Sequence, residues 1–487
     1  MTNVCMNNNT NNKNLPTQIK KGFIWSFIEN LSLQGIRFFI GIVMARLLSP
    51  SDYGMVGMLT VFMVISDLLV NSGIGSALNQ MQNRKEKDFS TAFLFNFVVG
   101  VILYGILYFL ARPISSFYNV PLLEKLMQVL ALSLVINSLC VIPMTKLQIA
   151  LSFRMISIIA VLSAVFSGVI GIYLAMSGYG VWSLVYSTLG GNVLRMIMLY
   201  AIVKWVPHTF FSFASFKSMF SYGSKLLLGQ LLDTIYTNIY PLVIGKAYSA
   251  SALGFYSRAQ GYANLPSSTI TQIIYRVCFP AFCKENNNKI ELLRSYIVIM
   301  RNVALVTVFA MTLLLSLAQP LVTILITNKW LSCVPMLQIL CIATMWYPIL
   351  EVNLSVVKAL GFSSSVLKMQ IITKAFAIIV LVITLNFDII IMCYGIVIVS
   401  LFSVFVNFII SKNVIGLSLK EQLKPLIPSI MAGVLMYVVI AIIIELVDNS
   451  YLQCITGLFI GSIIYAGMLQ LLGIPIKKLL YSFIKVK

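Results

Sequence analysis

The chain has 487 residues, 59% of them hydrophobic and only 10% charged, with a mean hydropathy of +0.95. A soluble globular domain runs nearer half apolar and a quarter charged, so the composition excludes a soluble fold and defines a polytopic membrane protein. A formal net charge of +20 would suit a nucleic-acid partner, but the cations alternate along the chain in a way that reports membrane topology instead.

Residues 1–21 are Asn-rich and polar, with no apolar stretch before Phe23. They read as a disordered cytoplasmic tail and not as a cleavable signal peptide. From there, apolar windows of about 20 residues predict an all-α integral membrane fold of fourteen transmembrane helices. The segments run 22–47, 54–79, 90–111, 122–145, 153–177, 180–205, 218–244, 251–282, 293–318, 332–358, 366–387, 389–411, 426–447 and 452–473. Every break is too short to fold as a soluble domain.

Alternate loops collect the cations. Lys13, Lys20 and Lys21 precede the first segment, and Arg84, Lys85 and Lys87 follow the second. The pattern continues through Lys146 and Arg154, Lys204 and Lys217, Lys284 and Lys289, Lys358 and Lys368, and Lys412, Lys420 and Lys424, to Lys477 and Lys487. The opposite loops hold only Arg46, Arg112, Lys125, Lys246 and Lys329. By the positive-inside rule both termini are cytoplasmic, as an even number of helices requires.

The chain also repeats. ARLLSPSDYGMV at Ala45–Val56 lines up with GKAYSASALGFY at Gly245–Tyr256, an offset of 200. LARP at Leu110–Pro113 recurs as LAQP at Leu317–Pro320, and LQIALSF at Leu147–Phe153 pairs with VVKALGF at Val356–Phe362. Two six-helix bundles, 22–205 and 206–411, are therefore parallel copies of one unit, with an added helix pair and cytoplasmic tail at 412–487.

The eighth segment is the most polar. Arg258, Tyr262, Thr269, Gln272 and Arg276 fall on one side of a helix, beside a second stripe that includes Asn264, and Pro266 is expected to kink it. Away from the segment ends lie seven cations (Arg37, Arg195, Lys225, Arg258, Arg276, Arg301 and Lys374) against four acids, Glu29, Asp67, Asp233 and Glu351. Charges facing lipid are costly, so this excess predicts an anion-binding cavity. Its expected substrate contacts are Arg37, Lys225, Arg258, Arg276, Arg301 and Lys374, whose guanidinium and ammonium groups suit phosphate oxygens. Glu29, Asp67, Asp233, Gln230, Asn264 and Gln272 are the expected polar or ion-coupling positions. Asp67 and Asp233 are candidates to couple H⁺ or Na⁺, although pairing with Arg37 or Arg195 is the competing structural role. The faces of the last two segments suit lipid chains.

Nothing points to an enzyme or a cofactor. There is no Gly-rich phosphate loop, the single histidine, His208, stands in a loop, and the eight cysteines lack metal-ligand spacing.

Two stretches carry a family resemblance. GFIWSFIENLSLQGIRFFIGIVMARLLSPSDYGMVGM with GIGSALNQ at Gly73–Gln80 is one; the other is Leu253–Ala259 (LGFYSRA), followed by Leu265–Pro266 and Phe279–Phe282 (FPAF). Over residues of about 20–475 the chain resembles Wzx-type polysaccharide flippases of the multidrug/oligosaccharidyl-lipid/polysaccharide superfamily. The resemblance implies a transporter of the bacterial inner membrane, acting as a monomer by alternating access. It would move an undecaprenyl-diphosphate-linked oligosaccharide to the periplasmic leaflet, in a pathway with glycosyltransferases and a polymerase. Two other readings are a small-molecule exporter of the same fold and a membrane-embedded polysaccharide polymerase or ligase. The cationic excess disfavours the first, and the lack of a large periplasmic loop disfavours the second.

Overall fold

The computed structural model describes residues 15–71, 73–208, 211–285 and 288–474, and these form helices joined by short turns. The first ten helices are α1 (Leu15–Leu47), α2 (Pro50–Asn71), α3 (Ile74–Gln80), α4 (Glu86–Tyr118), α5 (Leu122–Leu130), α6 (Leu132–Ile149), α7 (Phe153–Met176), α8 (Trp182–Val203), α9 (Phe213–Ala247) and α10 (Ala250–Glu285). They are followed by α11 (Lys289–Ser316), α12 (Ala318–Ile326), a 3₁₀ turn (Asn328–Cys333), α13 (Val334–Thr344), α14 (Trp346–Ala359), α15 (Ser363–Thr384), α16 (Ile389–Ile415), α17 (Leu419–Leu423), α18 (Ile427–Leu446) and α19 (Ser450–Leu471).

Each of the fourteen predicted segments falls on one helix or on consecutive pieces of helix. Ten stretches among the described residues are long and apolar enough to cross a membrane; α1, α8, α9 and α10 fall outside that set. The differences are local. Helix begins at Leu15, so residues 15–21 of the expected disordered tail are helical, with Pro16 in the first turn where a missing N–H is tolerated. The rest of that tail, with Lys13, and the cations from Lys477 onward lie outside the described residues. The second segment is interrupted before Ile74, and the fourth at Ala131. α10 runs without a break through Pro266 and Pro280.

The chain divides into two compact units, a first up to Gly254 and a second from Phe255. The repeat places the boundary at residue 205, but α9, the first helix of the second copy, packs on α2, α3 and α4 of the first unit. Backbone contact explains why. The first turns of α2 and α10 cross so closely that a Cβ on Gly54 would overlap the carbonyl of Ala250, and one on Gly254 would overlap the carbonyl of Pro50. The two contacts are reciprocal at the offset of 200, as a repeated unit would make them. Both turns are opened by the matching serine. Ser49 Oγ accepts from Asp52 N–H at 3.3 Å, and Ser249 Oγ from Ala252 N–H at 3.1 Å.

Elsewhere in the first unit α1 packs on α7, α7 on α8, and α6 on α4 and α8. The α7–α8 contact is built from two copies of one pattern, Ser163-x₃-Ser167-x₃-Gly171 and Ser183-x₃-Ser187-x₃-Gly191. Small side chains at that spacing let the backbones approach. Ser167 Oγ then donates to the carbonyl of Ser187 at 2.8 Å, and a Cβ on Gly191 would stand 2.8 Å from Ser167 Cβ.

In the second unit α16 packs on α13, α14 and α15, while α18 packs on α11 and α19. Its core gathers Phe282, Tyr296, Met300, Val352, Val356 and Phe408, all at most 1% exposed. Within that apolar layer sits a polar network around Gln422 of α17, which is fully buried. Its Nε2 donates to the carbonyls of Leu417 (3.0 Å) and Phe408 (3.2 Å), and its Oε1 accepts from Ser411 Oγ (2.9 Å). Asn353 Nδ2 donates to the same Ser411 hydroxyl at 3.2 Å. These bonds satisfy backbone groups where the chain leaves α16, which burial away from water requires. A capping box starts α17: Ser418 Oγ donates to Glu421 at 2.7 Å, and these bonds hold the Glu421 carboxyl below its usual range.

The third repeat match shows where structure and sequence alignment part. Leu151 and Gly361 both turn left-handed, at φ of 52° and 83°, and Ser152 and Phe362 follow with near-identical backbone angles. The equivalent turns are therefore offset by 210, one more than the letter match of 209. Side-chain identity at Ala150–Leu151 and Ala359–Leu360 drives the alignment, whereas the turn is defined by the left-handed residue.

Candidate functional site

A polar cavity of about 440 Å³ opens within the first unit, lined by α2, α3, α6, α8 and α9. Its floor is set by α6, where Asn137, Val141, Met144, Thr145 and Gln148 recur at helical spacing and so share one face. Thr145 turns its hydroxyl back to the carbonyl of Val141 (2.8 Å). Asn137 Nδ2 donates to Asp67 Oδ1 of α2 at 3.0 Å, and Asn71 Nδ2 donates to the carbonyl of Asp67 at 2.8 Å. Arg195 of α8 lines the same cavity and interacts electrostatically with the Asp67 carboxylate.

The rim is held by amide pairing. Asn79 Nδ2 of α3 donates to Gln148 Oε1 at 3.0 Å, and Arg84 closes the end of α3 through the carbonyls of Leu78 (2.9 Å) and Asn79 (3.1 Å). Gly73 makes the corner that aims α3 into the cavity. Its φ is +67°, and a Cβ there would stand 2.5 Å from the carbonyl oxygen of Gly223. Both the angle and the space demand glycine.

Of the expected site residues, Asp67 and Gln230 line this cavity. Asp67 accepts the hydrogen bond from Asn137 and interacts electrostatically with Arg195. Glu29 instead turns to α7, where Ser157 Oγ donates to its Oε2 at 2.9 Å. Arg37 and Asp233 are exposed on α1 and α9, and the side chain of Lys225 lies outside the described residues. In the second unit, half-buried Arg258 stands beside Tyr262 and Cys333. Asn264 and Lys374 are half-buried, and Gln272 and Arg276 are exposed. Arg301 buries its Nε with no hydrogen-bond partner among the described residues. The hydroxyls of α10 mostly serve their own helix, with Thr269 bonding Leu265 and Thr271 bonding Ser267; Ser267 crosses to the carbonyl of Thr344 at 2.7 Å.

Sequence reasoning passes over Asn137, Thr145 and Gln148 as site residues, and marks Arg195 only as an intramembrane charge. The signal is nonetheless present, because a polar stripe at 3.6-residue spacing in an apolar helix marks a face turned from lipid. A second cavity, of about 530 Å³ and largely apolar, lies in the second unit among α11, α13, α14, α16 and α18. Val308, Leu315, Ile339, Trp346, Tyr394 and Tyr437 contribute to its walls.

With fold and cavity defined, comparison places the chain. Residues 43–335, more than half of its length, match the family of polysaccharide biosynthesis proteins, and the chain belongs to that family. It is 27% identical over 349 residues to the teichuronic acid biosynthesis protein TuaB of Bacillus subtilis, covering 71% of this chain and 72% of that one. It is 27% identical over 335 residues to the lipopolysaccharide biosynthesis protein WzxC of Escherichia coli, covering 66% of each. Among solved structures the fold matches the lipid II flippase MurJ, with a TM-score of 0.74 at 16% identity over 92% of this chain and 98% of that one. A MATE-family multidrug resistance transporter of the MOP superfamily matches with a TM-score of 0.60 at 17% identity, covering 79% of this chain and 94% of that one. The protein is a multi-pass membrane protein of the polysaccharide biosynthesis family with a MurJ-like fold.

Proposed function

We propose that this chain is a flippase that carries an undecaprenyl-diphosphate-linked oligosaccharide from the cytoplasmic to the periplasmic leaflet of the bacterial inner membrane, by alternating access. The observation that carries the reading is a polysaccharide-biosynthesis sequence on a MurJ-like fold, with a polar cavity set among apolar helices. A lipid-linked sugar is the intermediate of such pathways that is both too polar to cross a bilayer unaided and already anchored in one. The intramembrane cations supply the counter-charge that a diphosphate needs, by charge-assisted hydrogen bonds. The protein acts as a monomer with fourteen spans and both termini cytoplasmic, alongside the glycosyltransferases and polymerase that make and consume its substrate. It uses no cofactor; H⁺ or Na⁺ entry through Asp67 or Asp233 drives the cycle.

Purified protein in liposomes should move a fluorescent undecaprenyl-diphosphate oligosaccharide between leaflets. Arg37→Ala, Lys225→Ala and Arg258→Ala should each slow that movement about tenfold or more while inserting normally, since a bond to a charged group is worth roughly 1.5–3 kcal/mol. Wild-type rates from all three would remove the diphosphate role from these cations. Absence of movement by the wild-type protein would refute the flippase reading itself.

A further inference from the structure

The chemistry of the first-unit cavity differs from that of the cation set. Five carboxamides (Asn71, Asn79, Asn137, Gln148 and Gln230) line it, with one cation, Arg195, and one acid, Asp67. We propose that this cavity is a saccharide-recognition site, which takes one or two neutral sugar residues of the head group while cations outside it hold the diphosphate. The inference rests on the flippase reading above and names the part of the substrate that this cavity receives.

Three observations carry it. A carboxamide offers two donors and two acceptor lone pairs, and a sugar hydroxyl is itself donor and acceptor, so the capacity that the amides do not spend on one another or on Asp67 matches a polyol. A diphosphate offers acceptors only and would meet the Asp67 carboxylate, whose charge offsets that of Arg195. The lining is therefore balanced in charge, and a neutral ligand fits it best.

The second observation is an open valence. Asn137 is oriented by its Nδ2 bond to Asp67, yet its Oδ1 is buried without a hydrogen-bond partner among the described residues. That oxygen is shut off from solvent as it stands, so a ligand hydroxyl reaches it as the Asn137 amide turns toward the cavity, and because a buried acceptor left unmade is destabilising the bond then gains more than an ordinary exchange with water. The third is size. A pyranose ring with its hydroxyls fills about six water volumes at roughly 30 Å³ each. The cavity, at about 440 Å³, accommodates two such rings and lies in the range of small-molecule sites. Val141 and Met144 add an apolar surface for the C–H face of a ring.

The test uses the full-length protein in detergent and three probes: the intact lipid-linked oligosaccharide from the cells that make the protein, the free oligosaccharide released from it by mild acid, and undecaprenyl diphosphate. Calorimetry should show that the wild-type protein binds the free oligosaccharide. Asn137→Ala, Gln148→Ala and Gln230→Ala should each weaken that binding about tenfold, the effect of one or two lost hydrogen bonds, with undecaprenyl diphosphate affinity changed less than about twofold. Gln148→Ala and Gln230→Ala carry the test where Asn137→Ala lowers folding yield, as a melting curve reveals. Unchanged oligosaccharide affinity in both glutamine variants overturns the proposal, as does an equal loss for undecaprenyl diphosphate. A wild-type protein that flips the intact substrate but ignores the free oligosaccharide overturns the sugar site and leaves the flippase standing. One that neither flips nor binds the intact substrate overturns both.

Discussion

Gln422 illustrates what a single side chain does where no water reaches. By sequence it is an ordinary polar letter in a loop, yet it binds two carbonyls and a hydroxyl in the core of the second unit. Gln422→Leu would strip the Leu417 carbonyl of its donor, while Ser411 and the Phe408 carbonyl keep each other and Asn353, and a buried polar group stranded in this way costs about 1–3 kcal/mol. The variant should lose several degrees of melting temperature in detergent; an unchanged melt would show that the network is replaceable. Gly73 is not legible as a corner, since the predicted segment 54–79 runs through it, and neither is the closeness of Gly223. Asp67 shows the limit in the other direction. Its depth in a segment marks it as functional or paired, and only packing places Asn137 and Arg195 around it. Asn137 lies 70 residues from Asp67, and no local pattern links them.

At the level of elements, hydropathy locates the helices well because a spanning helix must satisfy its backbone internally and present apolar side chains to lipid. It cannot foresee the breaks at Ala131 and Gly73, or the short α12 and α17, because a helix end costs little when a neighbouring helix or a cap supplies partners. The turns at Leu151 and Gly361 offer a test of opposite signs. A left-handed L-residue is strained by about 1–2 kcal/mol, so Leu151→Gly should raise the melting temperature and Gly361→Leu should lower it. Equal effects of both would show that the two turns are not equivalent. The crossing of α2 and α10 is less forgiving. Gly254→Val would drive a side chain into the carbonyl of Pro50, and the expected outcome is protein that is degraded or fails to export, with the same for Gly54→Val. Membrane levels by blotting distinguish the two routes, and full export from either variant would rule out the tight crossing.

For the whole molecule, the alternation of cations implies an orientation that labelling can check. A single cysteine at Arg46 should react with an impermeant reagent from outside, and one at Lys85 only after the membrane is opened; the reverse would invert the topology. Asp67→Asn and Asp233→Asn should each change the dependence of flipping on a proton or Na⁺ gradient in liposomes if they carry the coupling ion. Unchanged dependence in both would leave Asp67 with its hydrogen bond from Asn137 and its electrostatic interaction with Arg195 alone. By itself the sequence determined the membrane class and the helical character of its segments, because hydrophobicity and charge act on each segment separately and leave a local record. Only the tertiary structure decided that α9 belongs with the first unit, that the offset of the last repeat is 210, and that five amides meet in one cavity. Those outcomes depend on which faces of distant helices come into contact, and close contact is set by the absence of side chains at Gly54, Gly73 and Gly254 as much as by the side chains present.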